Sequence, residues 1–295
     1  MSGELRLIIV SGLSGSGKSV ALHVLEDLGY YCIDNLPAGL LIEAVEEVRR
    51  TSESSMHLAV GVDARNPADN LDVLPDLLRE LQAQGIETDI VFLHASEETL
   101  LQRYRESQRR HPMADQGMEL RAAIKSERAI LAEIELSADL IIDTSRTSIY
   151  ELAETIRSRV DRSESNSLSV LVESFGFKYG IPSDADFVFD LRSLPNPYWT
   201  MKLRGLTGLD AEVQAFLDEQ DAFGAMFNDI VGFLTRWVPH YREVNRGYMT
   251  IAIGCTGGQH RSVYMVEKIA AALRDVHDPV LMRHNALPEH SLSQN

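Results

Sequence analysis

Apolar residues in the first half of the chain follow two alternating patterns. Unbroken runs at residues 7–10, 31–33, 57–62, 89–94 and 140–143 have the length of strands. Between them, apolar positions recur every three or four residues, as on one face of a helix. The periodicity predicts helices at residues 20–25, 39–50, about 68–84, 97–107, about 119–136 and 148–160. Gly85 reads as a C-cap, and Ser96 with Glu97, Glu98 and Thr99 as an N-terminal cap. Strands and helices that alternate at this length predict a parallel sheet covered on both faces.

Residues 163–167, Ser163-Glu164-Ser165-Asn166-Ser167, interrupt the pattern with five polar side chains and no periodicity. The expected division is a domain over 1–162, a linker over 163–167 and a second α/β domain over 168–295. The second half predicts strands at 168–173, 187–190 and 248–253, a rigid proline-containing loop at 194–199, and helices at 223–238 and 262–274. The last dozen residues read as frayed.

Composition narrows this picture. With 44% apolar and 24% charged residues in 295, the chain reads as a water-soluble globular protein with room for two cores. No apolar run approaches the roughly 20 residues that span a bilayer. Two cysteines, Cys32 and Cys255, make no disulfide framework, so a reducing cytoplasm is the expected location. The net charge of −16, with both halves acidic, removes long-range attraction to nucleic acid and leaves any RNA contact to a local basic patch.

Two glycine-rich turns carry the candidate chemistry. The first, Gly12-Leu13-Ser14-Gly15-Ser16-Gly17-Lys18-Ser19, lies between a strand and a helix and matches the phosphate-loop pattern G-x-x-x-x-G-K-S. Glycines let backbone N–H groups converge on an anion, and the helix start adds its positive dipole end. Lys18 is placed to reach the β- and γ-phosphates of a nucleoside triphosphate, and the Ser19 hydroxyl to ligate Mg²⁺. Asp63 ends a strand in Asp63-Ala64-Arg65-Asn66, where its carboxylate either supports the metal or caps the next turn. Arg65 pairs either with phosphate or with a carboxylate. Asp34, at another strand end, is either a water-activating base or a turn former. Arg103, Arg105, Arg109 and Arg110, followed by His111-Pro112, form a basic stretch, readable as a solvated face or as a lid over transition-state charge.

The second turn is Gly254-Cys255-Thr256-Gly257-Gly258-Gln259-His260-Arg261-Ser262. It again follows a strand and opens a helix, which makes an anion site, and Arg261 supplies a planar fork for phosphate. Five residues separate Cys255 from Arg261, the spacing of the cysteine-dependent phosphatase loop, so Cys255 is a candidate nucleophile. The pattern is short and no leaving-group acid is apparent. The anion-site argument favours a binding loop for a phosphorylated small molecule.

The first turn, the Asp63–Asn66 segment, Arg109-Arg110-His111-Pro112 and residues 138–145 together resemble the RapZ/YvcJ family of nucleotide-binding proteins. So do residues 174–182, 190–198, 206–210 and 255–262, and the likeness covers almost the whole chain. The resemblance implies a nucleoside-kinase-like P-loop NTPase domain followed by a smaller C-terminal α/β ligand-binding domain. It implies ATPase and GTPase activity, with Gly12–Ser19 assigned to ATP and Asp63–Asn66 to GTP; one site that hydrolyses either nucleotide is physically simpler. It implies sensing of an amino-sugar phosphate, glucosamine-6-phosphate, by Cys255, Thr256, Gly257, Gly258, His260, Arg261 and Ser262, and a homo-oligomer. The best-known branch is an RNase adaptor that presents a small RNA through a basic carboxy-terminal tail. Here residues 265–295 hold Lys268, Arg274 and Arg283 against Glu267, Asp275, Asp278 and Glu289, a poor surface for a polyanion. The rival enzyme reading is a small-molecule kinase that phosphorylates a metabolite held in the second turn.

Overall fold

The computed structural model describes residues 5–51, 57–65, 71, 73–114, 118–160, 168–243 and 246–287. The chain divides into two compact units, Met1–Asp161 and Arg162–Asn295, each with its own apolar core. The expected linker, 163–167, lies outside the described residues.

In the first unit, β1 (Arg6–Gly12), β2 (Tyr30–Ile33), β3 (His57–Gly61), β4 (Glu87–His94) and β5 (Leu140–Asp143) form one parallel sheet. The strand order is β2-β3-β1-β4-β5, with Val10 opposite Gly61 on one side and Val91 on the other. β1 is buried at all its positions, which is why its apolar run is unbroken. Leu7 and Ile9 face one core with helices α2 (Leu41–Thr51), α3 (Leu74–Ala83), α4 (Glu97–Ser107) and α5 (Leu120–Leu136). Ile8 and Val10, buried on the alternate positions, turn to the other face. There α1 (Lys18–Asp27) packs against α6 (Ile149–Val160). Arg6 crosslinks the base of the sheet: its guanidinium meets Asp89 Oδ2 at 2.6 Å, the Tyr30 hydroxyl at 3.1 Å and the Val160 carbonyl at 3.0 Å.

In the second unit, β6 (Ser169–Gly176), β7 (Phe187–Asp190), β8 (Tyr248–Cys255) and β9 (Val280–His284) are parallel in the order β7-β8-β6-β9. Helices α7 (Ala211–Asp218), α8 (Asp221–Glu243) and α9 (Arg261–Arg274) accompany them. Three features differ from the sequence reading. β9 was not expected, because Val-Leu-Met-Arg-His is short and lacks alternation; it exists through its register with β6, from Val170 to Ser174. It also brings His284 and Asn285 out of the expected frayed tail, Asn285 N–H donating to the Ser174 carbonyl at 3.0 Å. α7 falls in a stretch to which the sequence pattern assigned no element. α8 runs through Pro239 rather than ending at 238, with Val238 and Tyr241 on either side held in the core; tertiary packing here outweighs the lost N–H.

Candidate functional site

Parallel pairing brings the ends of β1, β2, β3, β4 and β5 to one edge of the first sheet, where α/β proteins bind ligands. The phosphate loop lies on that edge. Gly12 closes β1 at φ 139°, and a Cβ there would stand 2.3 Å from the Leu93 carbonyl oxygen, so only glycine fits. The Ser16 N–H bonds the Leu13 carbonyl at 2.9 Å, Gly17 caps the helix with φ 112°, and α1 starts at Lys18. Lys18 Nζ reaches back over the loop to the Gly12 carbonyl at 2.6 Å. Burial pulls the Lys18 pKa below its usual value, while Glu127, Asp63 and Asp34 favour the charged form. Ser19 is exposed in the first turn of α1. Ser16 Oγ is buried in the loop with no hydrogen-bond partner among the described residues.

Distant side chains hold this loop from outside. Glu127, 1% exposed on α5, accepts the Ser14 N–H at 2.9 Å and the Ser14 hydroxyl at 2.6 Å. His111 Nδ1 accepts the Met113 N–H at 3.1 Å, so the ring proton sits on Nε2 and is donated to Glu127 at 3.1 Å. Burial alone would raise the Glu127 pKa; the bonds from His111 and Ser14 and the charge of Lys18 outweigh it and keep the carboxyl ionised. On the other flank, Arg103 donates to the Gly15 carbonyl at 2.9 Å and the Thr144 carbonyl at 2.6 Å, and the Thr144 hydroxyl donates to the Ser16 carbonyl at 2.9 Å. Sequence reasoning missed Glu127 and Thr144 and took Arg103 only as part of a basic run. Arg109 and Arg110, expected over the phosphates, are exposed; the neighbouring His111 is the member of that stretch that reaches the loop's support.

Asp63 and Arg65 stand beside Lys18. Arg65 grips the buried Asp63 carboxylate with Nη2 at 2.6 Å and Nε at 2.9 and 3.1 Å, and its N–H adds a bond at 2.9 Å. Burial would raise the Asp63 pKa, but Arg65 and Lys18 hold it below the ordinary value. Ala64 is buried and Asn66 lies outside the described residues. Asp34 is exposed and close enough to contribute to the charge balance at Lys18 and Arg65. No group of three or more His, Cys, Asp or Glu able to hold a metal occurs among the described residues.

The second cradle repeats this plan on the other sheet. β8 ends at Cys255, a loop follows, and α9 starts at Arg261. The Cys255 sulfur accepts the Gly258 N–H at 3.2 Å and lies 3.2 Å from the Ser262 hydroxyl. Burial would raise the thiol pKa; Ser262, Gly258 and Arg261 together hold it below its usual value. Arg261 is 2% exposed, with Nη1 donating to the Leu191, Arg192 and Leu194 carbonyls at 3.2, 3.2 and 2.8 Å. Nη2 reaches Thr256 Oγ1 at 3.4 Å, and Nε is buried with no partner among the described residues. His260 turns away from the loop, its Nε2 3.2 Å from the Leu203 carbonyl. Gly208 presses on the loop from outside: a Cβ there would lie 2.3 Å from the His260 carbonyl oxygen. Beside the cradle, β7 ends in Asp190-Leu191-Arg192, whose fork copies that of Asp63 and Arg65, with Nη2 at 2.7 Å and both Nε distances 3.0 Å.

The cations of the tail segment are engaged internally. Lys268 pairs with Asp218, Arg283 with Glu173 and Asp184, and Arg274 donates to the Val280 carbonyl. Among the described residues, no helix is long and apolar enough to cross a membrane.

Residues 5–164 match the family model described as the RapZ-like N-terminal domain, and residues 168–288 that of the RapZ C-terminal domain. Similar curated proteins include a nucleotide-binding protein of Thioalkalivibrio sulfidiphilus, 50% identical over 285 residues, covering 96% of this chain and 100% of that protein. Another, from Halorhodospira halophila, is 50% identical over 288 residues, covering 97% and 100%. Among solved structures, a shikimate kinase from Bacteroides thetaiotaomicron aligns over 53% of this chain and 99% of its own, at TM-score 0.36 and 18% identity. A gluconokinase from Sinorhizobium meliloti aligns over 52% and 89%, at TM-score 0.33 and 20% identity.

Proposed function

The chain belongs to the RapZ-like family, and from that premise we propose a nucleotide-binding regulatory protein that hydrolyses ATP and GTP and senses an amino-sugar phosphate. The observation that carries the nucleotide half is the loop from Gly12 to Ser19. Its backbone turns at the sheet edge, Lys18 lies over it, and the Ser16 hydroxyl is buried there with no partner among the described residues. The relatives' names, nucleotide-binding proteins, agree with it.

In this reading the loop N–H groups and Lys18 hold the triphosphate, and Arg65 borders the same pocket. One site then serves ATP and GTP, because Lys18 and Asp63 are near enough to act on each other's charge. Mg²⁺, when bound, neutralises the β- and γ-phosphate oxygens. The Ser19 hydroxyl and the Asp63 carboxylate are the groups that would hold it, and this sparse set suits an ion that keeps several waters and takes one carboxylate. Arg109 and Arg110 act as a lid that closes on bound nucleotide, so turnover is slow until closure or a partner completes the site.

The second cradle takes glucosamine-6-phosphate through the loop N–H groups and the Arg261 fork, and its occupancy biases the nucleotide site. The protein works in the cytoplasm as a homo-oligomer. Calorimetric titration with glucosamine-6-phosphate, alongside ATP and GTP turnover in the same samples, tests both halves. Because Arg261 also braces residues 191–194, Arg261→Lys, whose ammonium keeps the charge but loses the fork, accompanies Arg261→Ala. The expected result is binding that weakens in both variants, with free phosphate as the turnover product. A phosphorylated sugar would make the protein a kinase, absence of binding would remove the sensor, and salt-sensitive RNA binding would restore the adaptor reading.

A further inference from the structure

The geometry of the second cradle points to chemistry beyond binding. We propose that Cys255 is the nucleophile of a covalent phosphomonoester hydrolysis at this loop, with Arg261 as the oxyanion fork and Ser262 as the residue that positions the sulfur. The proposal rests on the reading that the cradle binds a phosphate monoester.

Three observations carry it. The sulfur sits at the carboxyl end of β8, beneath a loop that leads straight into α9, and it receives the Gly258 N–H and faces the Ser262 hydroxyl, both at 3.2 Å. Those contacts suit a thiolate, which accepts hydrogen bonds without donating any. Arg261, the first residue of α9, has Nη1 anchored by three carbonyls, which fixes the guanidinium plane. Its Nε is buried with no partner among the described residues, and Nη2 has one long bond to Thr256, so the edge Nε–Nη2 is the bidentate edge left for two phosphate oxygens. The same guanidinium interacts favourably with the Cys255 sulfur, so the fork and the nucleophile share one site. Thr256, exposed, marks the open side of the loop.

Asp190 is the carboxylate next to Arg261, and its bonds from Arg192 hold it in the ionised form, unsuited to donate a proton. The proton therefore travels with the substrate. The thiolate attacks the phosphorus of a monoester monoanion; the S–P bond forms as the bond to the ester oxygen breaks, and the phosphate proton leaves with the alcohol. Water then attacks the phosphocysteine, the S–P bond breaks to restore the thiolate, and dihydrogen phosphate departs.

The test uses the full chain without nucleotide, offered p-nitrophenyl phosphate and, separately, glucosamine-6-phosphate labelled in its phosphate. The wild type is expected to release nitrophenolate and phosphate and to yield a labelled phosphocysteine on quenching. Cys255→Ser is expected to lower release by on the order of 10³-fold or more, and a cooperative thermal melt near that of the wild type shows that the variant is folded. Ser262→Ala is expected to slow release and change the steady-state level of trapped phosphocysteine. Binding of the sugar phosphate with no release, or release unaltered in Cys255→Ser, overturns the proposal and leaves the sensing reading standing. Cysteine-dependent release from p-nitrophenyl phosphate with no binding of glucosamine-6-phosphate supports the proposal and removes the sensing reading. Neither binding nor release overturns both.

Discussion

The two cradles share a plan and differ in what they offer an anion. Each is a glycine turn between a buried parallel strand and a helix, and each has a neighbouring strand that ends in an Asp-x-Arg fork, Asp63–Arg65 or Asp190–Arg192. Each also contains a buried polar atom without a partner among the described residues, Ser16 Oγ in one and Arg261 Nε in the other. The first cradle adds Lys18, a point charge on a flexible stem, and an exposed serine. The second adds a rigid planar fork and a buried sulfur. A flexible ammonium can follow several phosphates along a chain, whereas a fixed fork matches two oxygens of a single phosphate. The difference in cation teaches which cradle suits a polyphosphate and which a monophosphate.

Lys18→Ala should break the comparison most sharply. ATP and GTP turnover should fall by about 10² to 10³-fold, the usual loss when a charge-stabilising donor is removed, while calorimetry still registers glucosamine-6-phosphate at the second cradle. Equal loss at both would mean that the two sites are not separable.

Gly12→Ala and Gly208→Ala form a matched pair, since each new Cβ would meet a carbonyl oxygen at 2.3 Å. Each should cost about 1–3 kcal/mol by overpacking and abolish ligand binding only at its own cradle. Thermal denaturation with and without each ligand reads both effects.

Glu127→Gln sharpens the contrast between a loop braced by a distant carboxylate and one braced by carbonyls. Stability should drop by about 1–3 kcal/mol through the poorer match to Ser14 and His111. The folded-state pKa of Glu127 is depressed, so its contribution is present above the unfolded value, about 4.3, and is lost as pH falls through the folded one. Melting temperature followed from neutral to acid pH should show a shallower acid limb in the variant; identical slopes would remove Glu127 from the acid response.

The forks give the smallest effect and the finest distinction. Arg65→Ala strips the two-pronged partner from a buried carboxylate and should cost about 1–2 kcal/mol. Arg192→Ala unpairs a half-exposed one and should leave the melting temperature unchanged. Similar losses would mean that the two forks carry equal weight despite their different burial.

How much was legible in the chain follows from distance along it. The phosphate loop, the strands that flank it and the cap at Ser96 depend on residues within a few positions of each other, and these were readable. Glu127 was not, because within Lys125-Ser126-Glu127-Arg128 it is one more charge on a helix; its meaning lies 113 residues away at Ser14. Arg103 looked like its neighbours Arg105, Arg109 and Arg110, and only the packing of α4 sets it on the loop's carbonyls. The repeated Asp-x-Arg at two strand ends was a signal present in the sequence, and it was read at Asp63 alone.

The sequence by itself determined the parallel α/β class and the position of both cradles, since periodicity and glycine spacing are local consequences of backbone geometry. The tertiary structure decided which groups serve those cradles. It committed His260 to the Leu203 carbonyl, left Arg109 and Arg110 in solvent, and drew His284 into β9. It also set the Arg261 guanidinium beside the Cys255 sulfur, with Nε buried and without a partner among the described residues. Burial and hydrogen-bond pairing across a sheet or a helix packing are properties of the folded chain, because the partner of a charged side chain is chosen by proximity in space.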